Sequence, residues 1–264
     1  MLNFPNISPN IIEIGPIKLR WYGLMYVLGF LASYILISKQ KKARRIGLRG
    51  AMLQDLILYL AIGLILGARF GYLLFYQIPN FRDYLQNPLE IIAIWHGGMS
   101  FHGGLLGALV AGIFFCRRKK LPYWQVADAV IVTAPIGLGL GRLGNFINGE
   151  LFGRASTVPW AMVFPMGGPV PRHPSQLYEV FLEGLLLFVI LWKLKDRPFR
   201  PGAMVCLFLA GYGIFRFVAE FFRQPDPQLG LLWGVISMGQ VLCLAMILFS
   251  FLLWNILQKR ALPP

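Results

Sequence analysis

Apolar residues run along this chain in long stretches that are separated by short polar segments. Seven stretches are near the length of about 20 residues that an α-helix needs to cross the hydrocarbon core of a bilayer. They lie at about residues 22–38, 52–76, 91–115, 126–146, 175–193, 203–222 and 235–257. The first lacks a small-x-small cleavage site, so we expect a retained span. The pattern predicts an all-α polytopic membrane protein with about seven transmembrane helices, built as a single integral membrane domain over residues 1–264.

Two segments depart from the helical pattern. Residues 11–21 alternate apolar and polar positions around Gly15-Pro16, which predicts an N-terminal β-hairpin lying at the membrane interface. Residues 150–172 separate the fourth and fifth stretches. They predict a small periplasmic head of loops, with one short strand near residues 160–164.

The composition supports a membrane protein. Hydrophobic residues make up 57% of the chain and charged residues 14%, against about 45–50% and about 25% in soluble proteins. The formal net charge of +14 would favour nucleic acid as a partner, but the basic residues cluster between the apolar stretches, as the positive-inside rule describes. We therefore expect membrane lipids as partners and no nucleic acid.

The basic residues also predict the orientation of the chain, because sixteen of them follow alternate stretches and six lie on the opposite side. The sixteen are Lys39, Lys41, Lys42, Arg44, Arg45, Arg49, Arg117, Arg118, Lys119, Lys120, Lys193, Lys195, Arg197, Arg200, Lys259 and Arg260. The six are Lys18, Arg20, Arg82, Arg154, Arg172 and Arg223. This bias places the N-terminus outside and the C-terminus in the cytoplasm.

Several ionisable residues lie inside the apolar stretches. They are Arg69, Arg142, Arg216, His102, Glu179, Glu183 and Glu220. A charge at the bilayer centre costs at least roughly 2.5–3.5 kcal/mol, so these side chains should face the protein interior or a wet cavity. A rise of about 1.5 Å per residue places Arg142, Arg216 and His102 in the outer half of the bilayer, where they can share one site if their helices adjoin.

The spacing of polar residues and of glycines adds detail. Polar residues recur every three or four positions, which puts each group on one helix face. The groups are Tyr212, Arg216, Glu220 and Arg223; Gln176, Glu179 and Glu183; and Arg142, Asn145 and Gly149. Two glycine series predict close helix packing: Gly63, Gly67 and Gly71, and Gly137 with Gly141. Residues 96–107, HGGMSFHGGLLG, predict instead a broken helix that lines a cavity.

Two arginines and a histidine at that depth suit chemistry on a phospholipid. Arginine donates bidentately to phosphate, and histidine is the natural general base near neutral pH. The sequence has no Walker loop, zinc-type spacing or GxSxG motif, so we expect no cofactor, no metal and no serine-hydrolase chemistry. Three alternatives stay open: Arg–Glu pairs that only fix packing, a transporter or channel with such pairs, and a non-catalytic scaffold.

Five motifs resemble those of the bacterial prolipoprotein diacylglyceryl transferases, in the order of that family. They are WYGLMY (21–26), GGMSFHGGLLG (97–107), GRLGNFINGELFGR (141–154), RHPSQLYE (172–179) and GYGIFRFVAEFFRQPD (211–226). The resemblance implies a transferase of the bacterial inner membrane. Such an enzyme moves the diacylglyceryl group from phosphatidylglycerol to the lipobox cysteine of a preprolipoprotein signal peptide, forming a thioether and releasing glycerol phosphate.

The resemblance also implies roles for residues. It makes His102, Arg216 and Arg142 catalytic, with Arg142 in contact with the lipid. Together with the polar face of the sixth stretch, it gives as substrate-binding candidates Arg142, Asn145, Tyr22, Glu150, Gly153, Tyr212, Glu220 and Arg223. On this scheme His102 takes the thiol proton, and the two arginines neutralise charge on the departing phosphate. Glu220 would orient the Arg216 guanidinium, and His96 has no assigned role.

Overall fold

The computed structural model describes residues 2–5, 7–15, 17–80, 84, 86–225, 230–232 and 235–259. Pro16, Arg82, Asp226 and Arg260, which enter the sequence-based predictions, lie outside the described residues. The elements in chain order are β1 (Leu2–Asn3), β2 (Asn10–Ile14), β3 (Ile17–Arg20), α1 (Trp21–Lys39), α2 (Lys41–Arg45), α3 (Ala51–Tyr76), α4 (Leu89–Ile92), α5 (Phe101–Lys119), α6 (Tyr123–Ile131), α7 (Ala134–Ile147), β4 (Met162–Val163), α8 (Ser175–Glu179), a π-helical segment (Val180–Leu186), α9 (Leu187–Leu194), α10 (Ala203–Glu220), β5 (Leu231–Leu232), β6 (Ile236–Ser237) and α11 (Met238–Lys259).

The protein is largely helical and has several helices suited to a membrane. α1, α3, α10 and α11 are long and apolar enough to cross a bilayer, and α6 with α7 forms a fifth candidate if this pair, bent by 41°, is one span. Helices also occupy the two other predicted stretches, as α5 and as the continuous run from α8 to α9. The membrane character is confirmed, and the count of seven spans stays a prediction.

The chain forms two compact units, residues 1–42 with 128–264 and residues 43–127. In the first unit α1 and the π-helical segment both pack on α7, and α10 packs on α11. Gly139 and Gly184 permit a close approach, since a Cβ atom on Gly184 would lie 2.8 Å from the Gly139 Cα atom. The glycine series predicted on α7 is wrong, because a Cβ atom on Gly137 or on Gly141 would meet open space.

The start of α10 is fixed by a side chain from α6. The two carboxylate oxygens of Asp128 accept hydrogen bonds from the backbone N–H of Gly202 at 2.7 Å and of Val205 at 3.1 Å. The first N–H groups of a helix have no partner within the helix, so a carboxylate there stabilises the helix terminus. This cap fixes the N-terminal end of the helix that carries Arg216.

The two non-helical segments of the first unit form as predicted in their local structure. β2 and β3 pair antiparallel, which confirms the hairpin. In the head, β4 gives the predicted short strand and pairs parallel with β1. Phe164 is fully buried, with its ring centroid 5.2 Å from that of Phe4 and 5.4 Å from that of Phe152. The head therefore packs against the N-terminal segment and α7 through a shared aromatic cluster.

In the second unit α3 packs against α5 through glycines. A Cβ atom on Gly67 would lie 2.7 Å from the Gly107 Cα atom, and one on Gly71 would lie 2.7 Å from the Gly103 Cα atom. The series on α3 is thus confirmed as a packing surface. The broken helix predicted for residues 96–107 is wrong for its second half, because Phe101–Lys119 is continuous helix and its glycines serve this contact.

The first half of that segment does lie outside an α-helix, and the long helix of the third predicted stretch begins at Phe101 rather than near residue 91. Gly97 and Gly98 have φ values of +89° and +73°, which favour glycine and end the preceding 3-10 turn. Arg69 of α3 donates hydrogen bonds to the carbonyl groups of Glu90, Ile91, Gly97 and Gly98. Its buried guanidinium therefore satisfies backbone that has no helical partners.

Candidate active site

Six charged side chains of the first unit form one group, here called the arginine–glutamate cluster: Arg142, Glu179, Glu183, Arg216, Glu220 and Arg223. Glu179 is fully buried at its centre. Its Oε2 atom lies 2.7 Å from Arg142 Nε and 2.6 Å from Arg216 Nη1, and its Oε1 atom lies 3.3 Å from Arg223 Nη1. One carboxylate thus binds three guanidinium groups that come from α7, from α10 and from the residues just after α10.

Arg216 is surrounded by acidic groups. Besides Glu179, it contacts Glu220 Oε2 at 2.9 Å and Glu183 Oε1 at 3.6 Å. The contact between Arg216 and Glu220 was predicted from their spacing on one helix face. Three arginines and three glutamates cancel in formal charge, which meets the condition that buried charges must be paired.

Local backbone features bring these side chains together. The close approach of Gly139 and Gly184 lets α7 and the π-helical segment come near each other, and Arg142 lies three residues after Gly139. The π-helical segment begins directly after Glu179 and contains Glu183. Such turns are rare and often occur at functional sites. Because a π-helical turn contains more residues than an α-helical turn, the side chains of Glu179 and Glu183 point in different relative directions from those of a regular α-helix.

A second polar path runs from Arg142 towards the head. Arg142 Nη1 donates to Asn145 Oδ1 at 3.5 Å, and Asn145 Nδ2 donates to Glu150 Oε1 at 2.9 Å. Asn148 Nδ2 donates to the same Glu150 oxygen at 3.1 Å, and the Glu150 carbonyl accepts from Gln176 Nε2 at 2.7 Å. The GRLGNFINGE stretch therefore folds so that its arginine, asparagine and glutamate side chains are connected.

Three other candidates have packing contacts. A Cβ atom on Gly153 would lie 2.7 Å from His173 Cβ, so only glycine fits at this position. Next to it, Arg154 N donates a hydrogen bond to Phe222 O at 2.9 Å, which joins the head to the residues just after α10. The Tyr22 ring packs against Gly144, and its hydroxyl lies 3.4 Å from that of Tyr26. Tyr212 lies one turn before Arg216 and stacks on Phe208.

His102 belongs to the second unit, on the first turn of α5. Its imidazole is exposed, and its ring centroid lies 5.7 Å from that of Phe101 in an edge-to-face arrangement. The Ser100 side chain accepts from Gly103 N at 3.2 Å and caps the helix. Within the described ranges no hydrogen bond or ion pair occupies the His102 ring nitrogens, so they are available for proton transfer.

Sequence reasoning identified Glu179 and Glu183 as buried acids but did not include them in the site. A signal was present, because Glu179 ends the RHPSQLYE motif. The same motif also contributes Tyr178 and His173 to a smaller polar group. The Tyr178 hydroxyl accepts a hydrogen bond from Trp160 Nε1 at 2.7 Å and lies 3.0 Å from His173 Nδ1. Burial lowers the pKa of His173 below its ordinary value of 6.5, which favours a neutral imidazole there.

The chain is similar to known proteins over nearly its whole length. The sequence model of the family described as prolipoprotein diacylglyceryl transferase matches residues 9–256. A protein of Desulfotalea psychrophila is 51% identical over 264 residues, covering 97% of this chain and 96% of its own. One of Geobacter sulfurreducens is 50% identical over the whole of both chains, and one of Pseudomonas aeruginosa is 51% identical over 100% of this chain and 99% of its own. All three are named phosphatidylglycerol–prolipoprotein diacylglyceryl transferase. This chain therefore belongs to the prolipoprotein diacylglyceryl transferase family.

Proposed function

We propose that this protein transfers the diacylglyceryl group from phosphatidylglycerol to the lipobox cysteine thiol in the signal peptide of a preprolipoprotein. The observation that carries the proposal is the full-length match to relatives at about 50% identity that are named for this reaction. The arginine–glutamate cluster supports it, since it contains the guanidinium groups that a phosphate needs. A transporter or channel is not favoured, because the relatives are named as transferases.

The reaction balances without a further reactant. The thiol sulfur forms a bond to the carbon of the diacylglyceryl group that bears the phosphate, and the bond from that carbon to the phosphate oxygen breaks. The electron pair of the broken bond leaves with glycerol phosphate, and His102 takes the thiol proton. Negative charge grows on the phosphate as it departs, and a fixed guanidinium stabilises such charge. No cofactor or metal enters this scheme.

Arg142 is the residue we assign to the phosphate. Its side chain is 22% exposed, against 14% for Arg216 and 13% for Arg223. Asn145 and Glu150, which are connected to Arg142, are assigned to the headgroup hydroxyls, and Tyr22 and Tyr212 to further contacts with the lipid. Gly153 acts indirectly, by allowing the head to pack against the end of α10.

We place the protein in the bacterial inner membrane as one integral domain of seven spans, with the N-terminus and the head in the periplasm and the C-terminus in the cytoplasm. The distribution of basic residues supports this orientation. A cysteine introduced at the exposed Thr157 should react in spheroplasts with an impermeant thiol reagent, whereas one at the exposed Arg45 should react only after lysis. The native cysteines are buried. Labelling in the opposite order would contradict this orientation.

The function is tested with the purified protein in vesicles that contain phosphatidylglycerol and a synthetic peptide with a lipobox. The peptide should gain the mass of one diacylglyceryl group. A peptide with serine in place of the cysteine should stay unmodified, as should the cysteine peptide in vesicles of phosphatidylethanolamine alone. Failure to modify the cysteine peptide in the first vesicles would contradict the proposed function.

A further inference from the structure

We infer that Glu179 is a positioning residue for the transfer reaction, which fixes the guanidinium of Arg142 and through which Arg216 acts. This inference rests on the proposed function. It starts from the shared contact of one buried carboxylate oxygen with Arg142 at 2.7 Å and with Arg216 at 2.6 Å. Two arginines that look equivalent in the sequence thus differ in role: Arg142 binds the phosphate, and Arg216 holds Glu179 in place.

The contacts of Arg216 leave it little capacity for a substrate. Its Nη1 atom lies near Glu179 and Glu183, and its Nη2 atom lies 2.9 Å from Glu220. A phosphate would have to displace carboxylates from this guanidinium. Glu183 would then lose its ion pair with Arg216, and Glu220 would keep only its more distant ion pair, at 4.0 Å, with Arg223. Removing one partner from a buried ion pair is strongly destabilising. Arg216 is therefore suited to holding Glu179 and not to gripping the lipid.

The contacts of Arg142 are different. It reaches Glu179 through Nε, and in the part of the chain that the structure describes its terminal nitrogens have one long hydrogen bond, 3.5 Å to Asn145. A guanidinium held by its inner nitrogen keeps its terminal donors free for a phosphate. Glu179 itself is fixed by Arg216 and, at 3.3 Å, by Arg223. Arg216 and Arg223 thus hold Glu179 in place, and Glu179 in turn holds Arg142 in place.

A different role for the same contact would be competition. If the Glu179 carboxylate occupied the place of the phosphate, it would have to leave before the lipid binds. Its neutralisation would then strengthen binding and lower the KM for phosphatidylglycerol. A positioning role predicts a lower kcat and no decrease in the KM, because a guanidinium that is misplaced by about 1 Å can cost 10²-fold in rate.

The chain offers a matched control in Glu183. Both glutamates are fully buried, they lie four residues apart, and glutamine is a replacement of nearly the same size and shape for each. Glu183 differs in its partner, since its ion pair is with Arg216 at 3.6 Å. We expect Glu179→Gln to lower kcat for peptide lipidation about 10²-fold without lowering the KM for phosphatidylglycerol. The fold-decrease in kcat of the Glu183→Gln variant should be less than about one tenth of that for Glu179→Gln.

A double-mutant cycle then separates positioning from general packing. If Glu179 acts through Arg142, Glu179→Gln should cost little more than about threefold in an Arg142→Lys background, because the guanidinium that it positions is already absent. Glu183→Gln should cost the same in both backgrounds. If the glutamine variant of Glu179 does not fold, Glu179→Asp keeps the charge and shortens the reach, and the same pattern is expected of it.

Several results would overturn the inference while the wild-type protein lipidates the peptide. They are an equal loss in Glu179→Gln and Glu183→Gln, an equal cost of Glu179→Gln in both backgrounds, or a lower KM for phosphatidylglycerol in Glu179→Gln. Absence of lipidation by the wild-type protein would contradict the proposed function instead, so the two failures are distinguishable.

Discussion

Replacing Arg142 by alanine is expected to lower the rate of diacylglyceryl transfer about 10³-fold, the upper range for loss of one fixed donor to a developing anion. The variant should still fold, because Glu179 keeps its contacts with Arg216 at 2.6 Å and with Arg223 at 3.3 Å. Arg142→Lys should also lose about 10²-fold or more, since a point charge does not replace a planar fork with several donors. The measurement is the initial rate of peptide lipidation.

Two controls support the interpretation of this result. Arg118→Ala removes the same charge from an exposed position in the basic cluster at the end of α5, and its rate should match that of the wild type. Thermal unfolding in detergent should show that the Arg142 variants are folded. Near wild-type activity of Arg142→Ala would refute the assignment of the phosphate to this residue, and would favour Arg–Glu pairs that only fix packing.

Arg216 is a less informative position for the same experiment. Its removal leaves Glu183 and Glu220 without the guanidinium that they contact at 3.6 Å and 2.9 Å. An unpaired buried charge is among the few causes of very large destabilisation. Lost activity in Arg216→Ala would therefore not distinguish a catalytic arginine from a structural one, whereas the Arg142 variants do.

The second large effect is expected at His102. His102→Gln keeps a hydrogen-bonding side chain but cannot take the thiol proton, so the rate near neutral pH should fall by about 10²–10⁴-fold. The loss should shrink as the pH rises, because the peptide thiol, with an ordinary pKa of about 8.5, then ionises without a base. The pH profile of the variant should thus be steeper than that of the wild type up to about pH 8.5.

The matched control is His96→Gln, since no role is assigned to His96, and its rate and pH profile should equal those of the wild type. A loss of only a few-fold in His102→Gln, with the pH profile of the wild type, would show that His102 is not the base. Tyr22, Glu150 and Glu220 would then be the next positions to substitute.

The helical architecture could be predicted from the sequence because apolar length and charge placement are local properties. Helices occupy all seven predicted stretches, and the hairpin and the short strand of the head were also predicted. The start of the long helix in the third stretch was not, because apolar residues continue through 91–96 and only backbone contacts show that no continuous helix runs through this segment. The Arg69 side chain supplies these contacts from another helix, and no spacing rule shows that.

The candidate site was predictable in its residue types but not in its organisation. Charges inside apolar stretches predicted that Arg142, Arg216, Glu179 and Glu183 face the protein interior or a wet cavity, with Arg–Glu pairing as one alternative. The central position of Glu179 depends on the Gly139–Gly184 approach and on the π-helical segment. Both are tertiary features, set by packing between distant parts of the chain. The sequence therefore suggested two equivalent arginines, whereas their contacts differ.

The central claim concerns which bond of the lipid breaks, and one measurement tests it directly. Phosphatidylglycerol carrying ¹⁴C in its diacylglyceryl group and ³²P in its phosphate is supplied to the wild-type protein with the lipobox peptide. We expect ¹⁴C on the peptide in a linkage that resists hydroxylamine at neutral pH, which cleaves thioesters but neither a thioether nor the oxygen esters of the diacylglyceryl group, and an equal molar amount of ³²P in water-soluble glycerol phosphate. Transfer of ³²P to the peptide, or ¹⁴C in a linkage that hydroxylamine cleaves, would contradict the claim.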